Sequence, residues 1–362
     1  MCIRDRYRDE MKKEIPELDA VVGIGSNGKI CDIIREILLD KQAVCSYGAK
    51  TELSMEGGRI ISTEPFYAYI KIAEGCSNNC TYCAIPSIRG KYRSRRMENI
   101  VKEARWLAEN GVTELVVVAQ DTTRYGEDIY GKSMLPELLT ALCEIDGFKW
   151  IRTLYCYPER ITDELLDVIA KEDKLVKYLD MPIQHCDKTI LKRMNRHGDR
   201  ETLTALIKKI REKIPNVTLR TTLITGFPGE TKEQFEELCE FVKEIRFERL
   251  GCFAYSPEEG TPAEKFEDQV PLKDRERRAE IIMEEQMIIS DSLNEAALDS
   301  EVEVVCEGFD RYAECYYGRS QADAPEIDGK IFFLSEDKVR VGKYVKVKID
   351  DTMDYDLIGS KM

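Results

Sequence analysis

The fold class of this 362-residue chain is decided by the stretch Leu115-Val116-Val117-Val118-Ala119, which Gln120 and Asp121 follow directly. A continuous apolar run of this length is typical of a parallel strand, because helices cover both faces of a parallel sheet. Comparable runs recur with helical patterns between them, which predicts parallel strands joined by right-handed crossovers. The predicted strands are 67–72, 114–119, 150–155, 177–181, 217–224 and 249–255, and the predicted helices include 98–110, 135–145, 162–171, 200–213 and 232–245.

Two architectures satisfy this alternation, an open doubly wound sheet and a barrel, and the pattern alone does not separate them. We favour an α/β fold with a partial (β/α)6 TIM-type barrel, because polar motifs follow several strands directly, where barrel enzymes place their sites. A helical stretch at 272–298 leads out of this core. From Glu301 onward, short alternating strands at 301–305, 330–334 and 339–349, with turn signals between them, predict a small antiparallel β-barrel. Residues 1–60 offer one strand and one helix, 17–23 and 29–39, and we interpret them as an α/β fragment of a larger domain.

Composition and charge exclude several classes of protein. The chain has 54 Lys and Arg and 68 Asp and Glu, and its net charge of -14 argues against a protein that coats nucleic acids or binds anionic membranes. No stretch reaches the ~18 to 20 apolar residues of a membrane span, and the start lacks the apolar core of a signal peptide. We therefore expect a cytoplasmic protein without membrane contact. The 13 cysteines predict mainly reduced thiols, and because His185 and His197 are the only histidines, sulfur is the expected ligand of any metal.

The strongest chemical signal is a cysteine triplet, Gly75-Cys76-Ser77-Asn78-Asn79-Cys80-Thr81-Tyr82-Cys83, directly after the first barrel strand. A short loop with this spacing can wrap a small inorganic cluster and direct three sulfurs toward it. An electron-transfer [4Fe–4S] centre generally uses four thiolates, and the next cysteine is Cys143, so one iron would stay open to a small molecule. Radical chemistry with S-adenosylmethionine (SAM) requires such an open iron. The alternatives are a zinc knuckle that lacks one ligand and buried thiols without a metal.

Longer strings in one order extend this signal. They are residues 71–95 around the triplet, Arg152-Thr-Leu-Tyr-Cys-Tyr-Pro-Glu-Arg160, Met181-Pro-Ile-Gln-His185, Thr221-Thr-Leu-Ile-Thr-Gly-Phe-Pro-Gly-Glu230, Phe253-Ala-Tyr-Ser-Pro-Glu-Glu-Gly260 and Gly318-Arg-Ser-Gln-Ala-Asp-Ala-Pro-Glu-Ile-Asp-Gly329. On these residues the chain resembles the radical-SAM methylthiotransferases. Within that family it is most similar to the branch that methylthiolates an aspartate of ribosomal protein uS12 in the small ribosomal subunit.

The resemblance implies three modules and their cofactors. Residues 1–60 would be the C-terminal remnant of the methylthiotransferase N-terminal domain, residues 61–298 the radical-SAM barrel, and residues 299–362 a TRAM-like domain. Cys76, Cys80 and Cys83 would be catalytic through a [4Fe–4S] cluster that binds SAM. One SAM would donate a methyl group to sulfur, and a second would yield the 5′-deoxyadenosyl radical that abstracts a substrate hydrogen. A flavodoxin or ferredoxin would donate the electron.

The family also has a second, auxiliary [4Fe–4S] cluster on three cysteines of the N-terminal domain. The first two of those cysteines have no counterpart here, so we expect this cluster to be incomplete. Cys2 falls in register with the third ligand, although the residues after it fit the family poorly. Cys31 and Cys45 match no ligand position, and we expect them to be buried or partly buried thiols.

Polar residues after the second and fourth strands are further site candidates. Gln120 and Asp121 could reach the barrel mouth, against an ordinary turn or a helix cap at Asp121. Gln184 and His185 could meet SAM or the substrate, against a role in internal hydrogen bonding. Arg196 could pair with the SAM carboxylate, against an arginine at a solvated helix end.

Three further features are interpreted mainly through the resemblance. Tyr82 lies where the aromatic residue of the family packs near SAM, against a loop aromatic that shields the cluster. Gly226 and Gly229 would let the backbone approach SAM, and Glu230 would otherwise be an acid at a helix start. A basic run could face an acidic substrate or the cluster, or could be a solvated face, and it comprises Arg89, Lys91, Arg93, Arg95 and Arg96.

The substrate can be a protein or an RNA, because related enzymes methylthiolate modified adenosines in tRNA. Residues 301–362 carry fourteen Asp and Glu against nine Lys and Arg, a net charge of −5 that repels phosphates and suits a basic ribosomal protein. Pro325-Glu326-Ile327-Asp328 also follows the ribosomal-protein branch. Ribosomal protein uS12 is thus the predicted partner, and nucleic acid is less favoured. The alternatives are a tRNA methylthiotransferase and a truncated, non-catalytic protein that binds ribosomes.

Overall fold

The computed structural model describes residues 7–40, 44–52, 55–62 and 64–362. The N-terminal elements are a helix α1 (Arg8–Glu14), a strand β1 (Ala20–Val22), a helix α2 (Ile30–Asp40) and a strand β2 (Val44–Ser46), and β1 pairs with β2 in parallel. Cys31 on α2 and Cys45 on β2 are exposed, so the expectation that they are buried was wrong. On α2, apolar side chains such as Leu38 are exposed to solvent, whereas Ile33 is buried. Cys2 lies outside the described residues.

The next region alternates strands and helices as predicted. Its six parallel strands are β3 (Tyr67–Lys71), β6 (Glu114–Val118), β7 (Trp150–Thr153), β8 (Tyr178–Asp180), β9 (Thr218–Thr225) and β10 (Arg249–Ala254). A short antiparallel pair, β4 (Ala73–Glu74) and β5 (Arg93–Ser94), follows β3. The helices are α3 (Ile85–Arg89), α4 (Met97–Glu109), α5 (Glu127–Tyr130), α6 (Leu135–Cys143), α7 (Asp163–Lys171), α8 (Lys188–Arg193), α9 (Arg200–Lys213), α10 (Lys232–Ile245) and α11 (Leu272–Glu295).

The six strands form a partial barrel. They are arranged as two three-stranded sheets, β3-β6-β7 and β8-β9-β10, and the backbone bridge between Ile151 and Leu175 joins their neighbouring edges. Among the described strands, β10 does not pair with β3, so the barrel stays open along this side. The predicted architecture is therefore confirmed, and strand ends with their polar residues gather at one rim.

Each barrel strand has two faces with different partners. Side chains such as Ile70, Val117 and Leu219 pack against the surrounding helices in the main hydrophobic core. The alternate side chains, such as Val116 and Tyr178, turn away from the helices into the barrel. Helices cover one face because their apolar stripes need a partner, and the inner face is left for the site and for another domain.

The C-terminal region is a closed five-stranded barrel. Its strands are β11 (Glu301–Asp310), β12 (Cys315–Arg319), β13 (Ile331–Leu334), β14 (Tyr344–Met353) and β15 (Asp356–Lys361), in the order β11-β12-β13-β15-β14. All pairs are antiparallel except β13 with β15, so the prediction of a purely antiparallel barrel needs this correction. Residues 341 and 342 form a turn in which Gly342 has φ +80°, so β14 begins at Tyr344 and not at Val339, where the predicted strand begins.

The connection between β12 and β13 lies against the inner face of the large barrel, at the amino ends of its strands. The Tyr69 hydroxyl donates to the carbonyl oxygen of Pro325 at 3.2 Å, and the Tyr178 hydroxyl donates to Asp328 at 2.7 Å. Arg249 pairs with Asp323 at 2.7 Å. The motif 318–329 that the sequence singled out is therefore the floor of the barrel, opposite the rim that carries the cysteine triplet.

No helix in the described part of the chain has both the length and the apolar character that crossing a bilayer requires.

Candidate functional site

The cysteine triplet lies on a loop between β4 and α3, at the carboxyl rim of the barrel. Gly75 enters this loop with φ +76°, and a Cβ there would lie 2.3 Å from the carbonyl oxygen of Lys91, so the position requires glycine. The Cys76 N–H donates to the Gly90 carbonyl at 3.1 Å, and the Cys83 N–H donates to the Cys80 carbonyl at 3.0 Å. Hydrogen bonds within the chain therefore shape the loop.

A second segment, just after α8, holds the loop from the other side. The Thr81 N–H donates to the Met194 carbonyl at 3.1 Å, and the Thr81 hydroxyl donates to the Arg193 carbonyl at 2.8 Å. The Asn195 side-chain amide donates to the carbonyl oxygens of Asn78 and Asn79 at 3.0 and 3.1 Å. The triplet is thus fixed between two parts of the chain that are more than a hundred residues apart.

The donor set fits an iron–sulfur cluster with one open iron. Cys80 is buried, and Cys76 and Cys83 are half-buried. Burial raises the pKa of the Cys76 thiol, and coordination would lower it again because metals bind the thiolate. Within the described residues, no group of His, Cys, Asp or Glu converges closely enough to hold a single metal ion. Each protein ligand of a [4Fe–4S] cluster binds a different iron, so three cysteines on one loop suit a cluster with one open iron.

Asp121 connects the second strand of the barrel to this loop. Its buried carboxylate accepts hydrogen bonds from the Asn78 amide at 2.9 Å and from the Thr123 hydroxyl at 2.5 Å. Its side chain makes no capping hydrogen bond to the short helical turn that follows, so the helix-cap alternative was wrong. Gln120, its neighbour, is exposed at the rim. The structure brings Asp121 to the cysteine loop, whereas contact of either residue with SAM stays a prediction.

Arg196 is buried beside the triplet and is only 5% exposed, so the alternative of a solvated helix end was wrong. Its guanidinium lies 3.9 Å above the ring of Tyr157 and donates to the Pro182 carbonyl at 2.9 Å. Its Nε is buried and has no hydrogen-bond partner among the described residues. The Tyr157 hydroxyl in turn lies 2.8 Å from Cys80 Sγ. Arg196 therefore belongs to the site, and its pairing with a SAM carboxylate stays a prediction.

His185 and Glu230 form a buried pair behind the rim. The Asp187 N–H donates to His185 Nδ1 at 2.9 Å, so in the neutral ring Nε2 carries the proton, and it faces Glu230 at 3.5 Å. Glu230 also accepts from the Gly226 N–H at 2.9 Å and pairs with Arg278 at 2.6 Å. Burial alone would raise the pKa of Glu230, but these three partners outweigh it and lower the pKa below its ordinary value. His185 thus makes an internal hydrogen bond at Nδ1, while its Nε2 has no hydrogen-bond partner among the described residues. Contact of His185 with SAM or the substrate stays a prediction.

The glycine turn after β9 packs tightly against the chain itself. Gly226 has φ +66°, and a Cβ there would lie 2.2 Å from the Arg275 side chain; Gly229 has φ +81°, and its N–H donates to the Asp268 carbonyl at 2.8 Å. Tyr82 packs edge-on against Phe227 of this turn, with 6.5 Å between ring centroids. The turn is thus next to the triplet, while contact of Tyr82, Gly226 or Gly229 with SAM stays a prediction. Gln184, which has φ +71°, joins the same rim by pairing its backbone with β9.

The basic run after the triplet divides into two parts. Arg95 is buried and pairs with Glu56 and Glu103, both at 2.7 Å, and Arg89 pairs with Glu74 at 3.3 Å. Lys91 and Arg96 are exposed, and Arg93 is half-buried. Arg95 is therefore structural, and the exposed members alone could meet an acidic partner.

Sequence reasoning missed Tyr157, Asn78 and Asn195 as site residues. Tyr157 follows the third strand, so the rule that selected Asp121 after the second strand could have found it. Asn78 lies inside the triplet itself. Asn195 gives a weaker signal, because its role depends on a contact with a loop 116 residues earlier.

Comparison with known proteins places these features in a family. The Radical SAM superfamily matches residues 70–242, and the TRAM domain matches residues 300–361. The chain is 49% identical over 359 residues to the ribosomal protein uS12 methylthiotransferase RimO of Caldanaerobacter subterraneus subsp. tengcongensis, covering 99% of this chain and 81% of that protein. The protein of the same name from Clostridioides difficile is 49% identical over 358 residues, with 99% and 80% coverage.

A solved structure with a similar fold is the radical S-adenosylmethionine methyltransferase TsrM of Kitasatospora setae with tryptophan and a SAM analogue bound. It is 16% identical, with a TM-score of 0.50, and the match covers 65% of this chain and 52% of that one. This likeness concerns the fold alone, whereas the identity to the uS12 methylthiotransferases extends over nearly the whole chain. The chain therefore belongs to the radical-SAM family of ribosomal protein uS12 methylthiotransferases, RimO.

Proposed function

We propose that this protein replaces a C–H bond of an aspartate in ribosomal protein uS12 with a C–SCH3 group. The observation that carries the proposal is the position of Cys76, Cys80 and Cys83 on one loop at the barrel rim, fixed by Asp121 through Asn78 and by Asn195. When bound, the [4Fe–4S] cluster with SAM supplies the 5′-deoxyadenosyl radical, which an unactivated C–H bond requires because no acid–base step can break it. The cytoplasm, where small ribosomal subunits are found, is the corresponding location.

The residues of the chain would prepare the site for this reaction. The three thiolates hold the cluster, and the half-buried Cys76 and Cys83 leave one side of the loop open toward the rim. Tyr82 and the turn at Gly226–Gly229 would flank SAM, with Gln184 and Gln120 on the same rim. The buried guanidinium of Arg196, whose Nε has no partner among the described residues, could receive an anionic group of SAM.

The C-terminal barrel supports a basic protein as the substrate. It carries the net charge of −5, and it exposes Phe309 and Leu334 beside a group of acidic side chains, Glu314, Glu336 and Asp337. Apolar side chains surrounded by acids suit a basic protein and repel the phosphates of RNA. We propose domain limits of 61–298 for the radical-SAM barrel and 299–362 for the TRAM-like domain, with 1–60 as part of the methylthiotransferase domain.

We further propose that Cys31 and Cys45 are not ligands of an auxiliary cluster, because both are exposed and they lie on separate elements. The electron would come from a flavodoxin or a ferredoxin.

The test is the iron and acid-labile sulfide content after anaerobic reconstitution. We expect about four irons per chain, lost in a Cys76→Ala, Cys80→Ala, Cys83→Ala variant and retained in Cys239→Ala, a half-buried thiol on α10. With SAM and reductant, only chains that hold the cluster should form 5′-deoxyadenosine. Iron retained in full by the triple variant would contradict the assignment of the ligands.

Substrate choice is tested separately. A uS12 peptide should gain the mass of a methylthio group minus that of the hydrogen it replaces, when the reaction includes a sulfur source. Tight tRNA binding with a steep dependence on salt would favour the tRNA reaction instead. A chain that binds ribosomes but forms no 5′-deoxyadenosine would be a non-catalytic binder.

A further inference from the structure

Tyr157 makes a direct contact with a cysteine of the triplet. Its hydroxyl lies 2.8 Å from Cys80 Sγ, although the two residues are 77 positions apart. An ordinary phenol is protonated at neutral pH. Once Cys80 is a thiolate, the sulfur can only accept, so the hydroxyl is the donor in this hydrogen bond.

The surrounding residues hold the Tyr157 hydroxyl in this position. The Tyr157 N–H donates to the Thr123 hydroxyl at 3.2 Å, and that hydroxyl donates to Asp121, which also binds Asn78 of the cysteine loop. One buried carboxylate therefore fixes both the loop and the backbone of Tyr157. Asp121 thus holds both the loop that carries Cys80 and the backbone of Tyr157, so the fold sets the distance between the donor and the acceptor of this hydrogen bond.

Arg196 adds a charge to the same contact. Its guanidinium lies 3.9 Å above the Tyr157 ring and is held by the Pro182 carbonyl at 2.9 Å. A cation on the face of the ring withdraws electron density from the phenol and strengthens its O–H as a donor. Arg196 is buried and Tyr157 is half-buried, and partial exclusion of water increases the electrostatic effect.

We infer that Tyr157 is a positioning residue for the cluster: its hydroxyl donates a hydrogen bond to the Cys80 thiolate and thereby raises the reduction potential of the cluster. Hydrogen bonds to ligand sulfurs stabilise the added negative charge of the reduced cluster, which is a recognised means of setting such potentials. The inference rests on the proposed function, since it takes Cys80 as a cluster ligand.

The test is a redox titration of the full, anaerobically reconstituted chain followed by electron paramagnetic resonance. We expect Tyr157→Phe to keep its iron and to shift the reduction potential to a more negative value. The matched control is Tyr155→Phe, two residues earlier on the same segment, whose side chain is 46% exposed and which should leave the potential unchanged. A purely structural role for Tyr157 would change iron retention but not the potential of the loaded protein.

A second variant keeps the test decisive if Tyr157→Phe loses its iron. Replacing Tyr157 with 3-fluorotyrosine preserves the hydroxyl and makes it a stronger donor, so the potential should shift in the positive direction. Unchanged potentials in iron-loaded variants, or shifts of the opposite sign, would overturn the inference alone. A wild-type chain that binds no cluster would overturn the proposed function as well.

Discussion

The two ends of the barrel's inner face both bury charged side chains, but they use them differently. At the amino end, Glu114 is fully buried and pairs with Arg152 at 3.1 Å and with Arg319 of the C-terminal barrel at 2.5 Å. At the carboxyl end, Asp121 binds the loop that carries the cysteines, and Arg196 keeps a buried Nε without a partner among the described residues. Charges at one end join two domains, and those at the other end lie around the cysteine triplet. Burial of a charge is therefore a weak sign of function until its partners are known.

The largest effect on stability is expected from breaking the buried ion cluster that joins the two domains at the amino end of the barrel. Arg319 also pairs with Glu307, at 2.5 Å. Arg319→Ala would leave Glu307 without this partner and would leave Glu114 paired with Arg152 alone. Removing one member of a buried ion cluster costs about 3–5 kcal/mol, so the free energy of unfolding in urea should fall by that amount. The control is Lys346→Ala in the exposed pair with Glu301, which should change stability by less than about 1 kcal/mol. If both variants lowered the free energy of unfolding by the same small amount, the ion cluster at the floor would contribute no net stability.

A smaller effect is expected at the rim from Glu230→Gln. The neutral amide loses the charge that faces His185 and Arg278, which should lower the free energy of unfolding by about 2 kcal/mol. The folded pKa of Glu230 lies below its ordinary value of 4.5, so the stability that it adds is present above pH 4.5. That contribution is lost as the pH falls through the folded pKa. The difference between wild type and variant should thus shrink in acid, and a difference that grows there would contradict the assignment.

The smallest of the three effects on stability is expected from Tyr178→Phe, at the floor of the barrel. Tyr178→Phe removes the hydrogen bond to Asp328 but keeps the ring, over which the Arg152 guanidinium lies at 4.5 Å. Because this bond goes to a carboxylate, we expect a loss of about 1.5 kcal/mol in the free energy of unfolding. Iron content and 5′-deoxyadenosine formation should stay unchanged, since the change lies at the end away from the triplet. A loss of cluster would show that the two ends are not independent.

The sequence was sufficient to predict the strands whose own residues show a clear hydrophobic pattern. All six barrel strands begin and end within two residues of their predicted positions. The pattern is clearest in β6, which is buried on both faces and almost entirely apolar, whereas β9 is recognisable by its alternation of apolar residues and β-branched threonines. Two strands of the small barrel, β12 and β15, were not predicted. Cys315–Arg319 and Asp356–Lys361 mix polar, glycine and apolar residues, and they are strands because neighbouring strands supply their hydrogen bonds.

The candidate site, too, was predictable only where its residues lie close together in the sequence. The triplet is local in sequence, so its loop could be identified at once. The contacts that give the other residues their roles are not local: Tyr157 meets Cys80 across 77 residues, and Arg196 is buried only because the loop and Tyr157 cover it. No local pattern distinguishes such an arginine from one at a solvated helix end.

The floor of the barrel has a consequence for how the protein is synthesised. Glu114 and Arg319 are 205 residues apart, so the strands of the barrel leave the ribosome long before the segment that completes their inner surface. During synthesis, the amino end of the barrel's inner surface can therefore be completed only after residues 318–329 have been made and can pack against it.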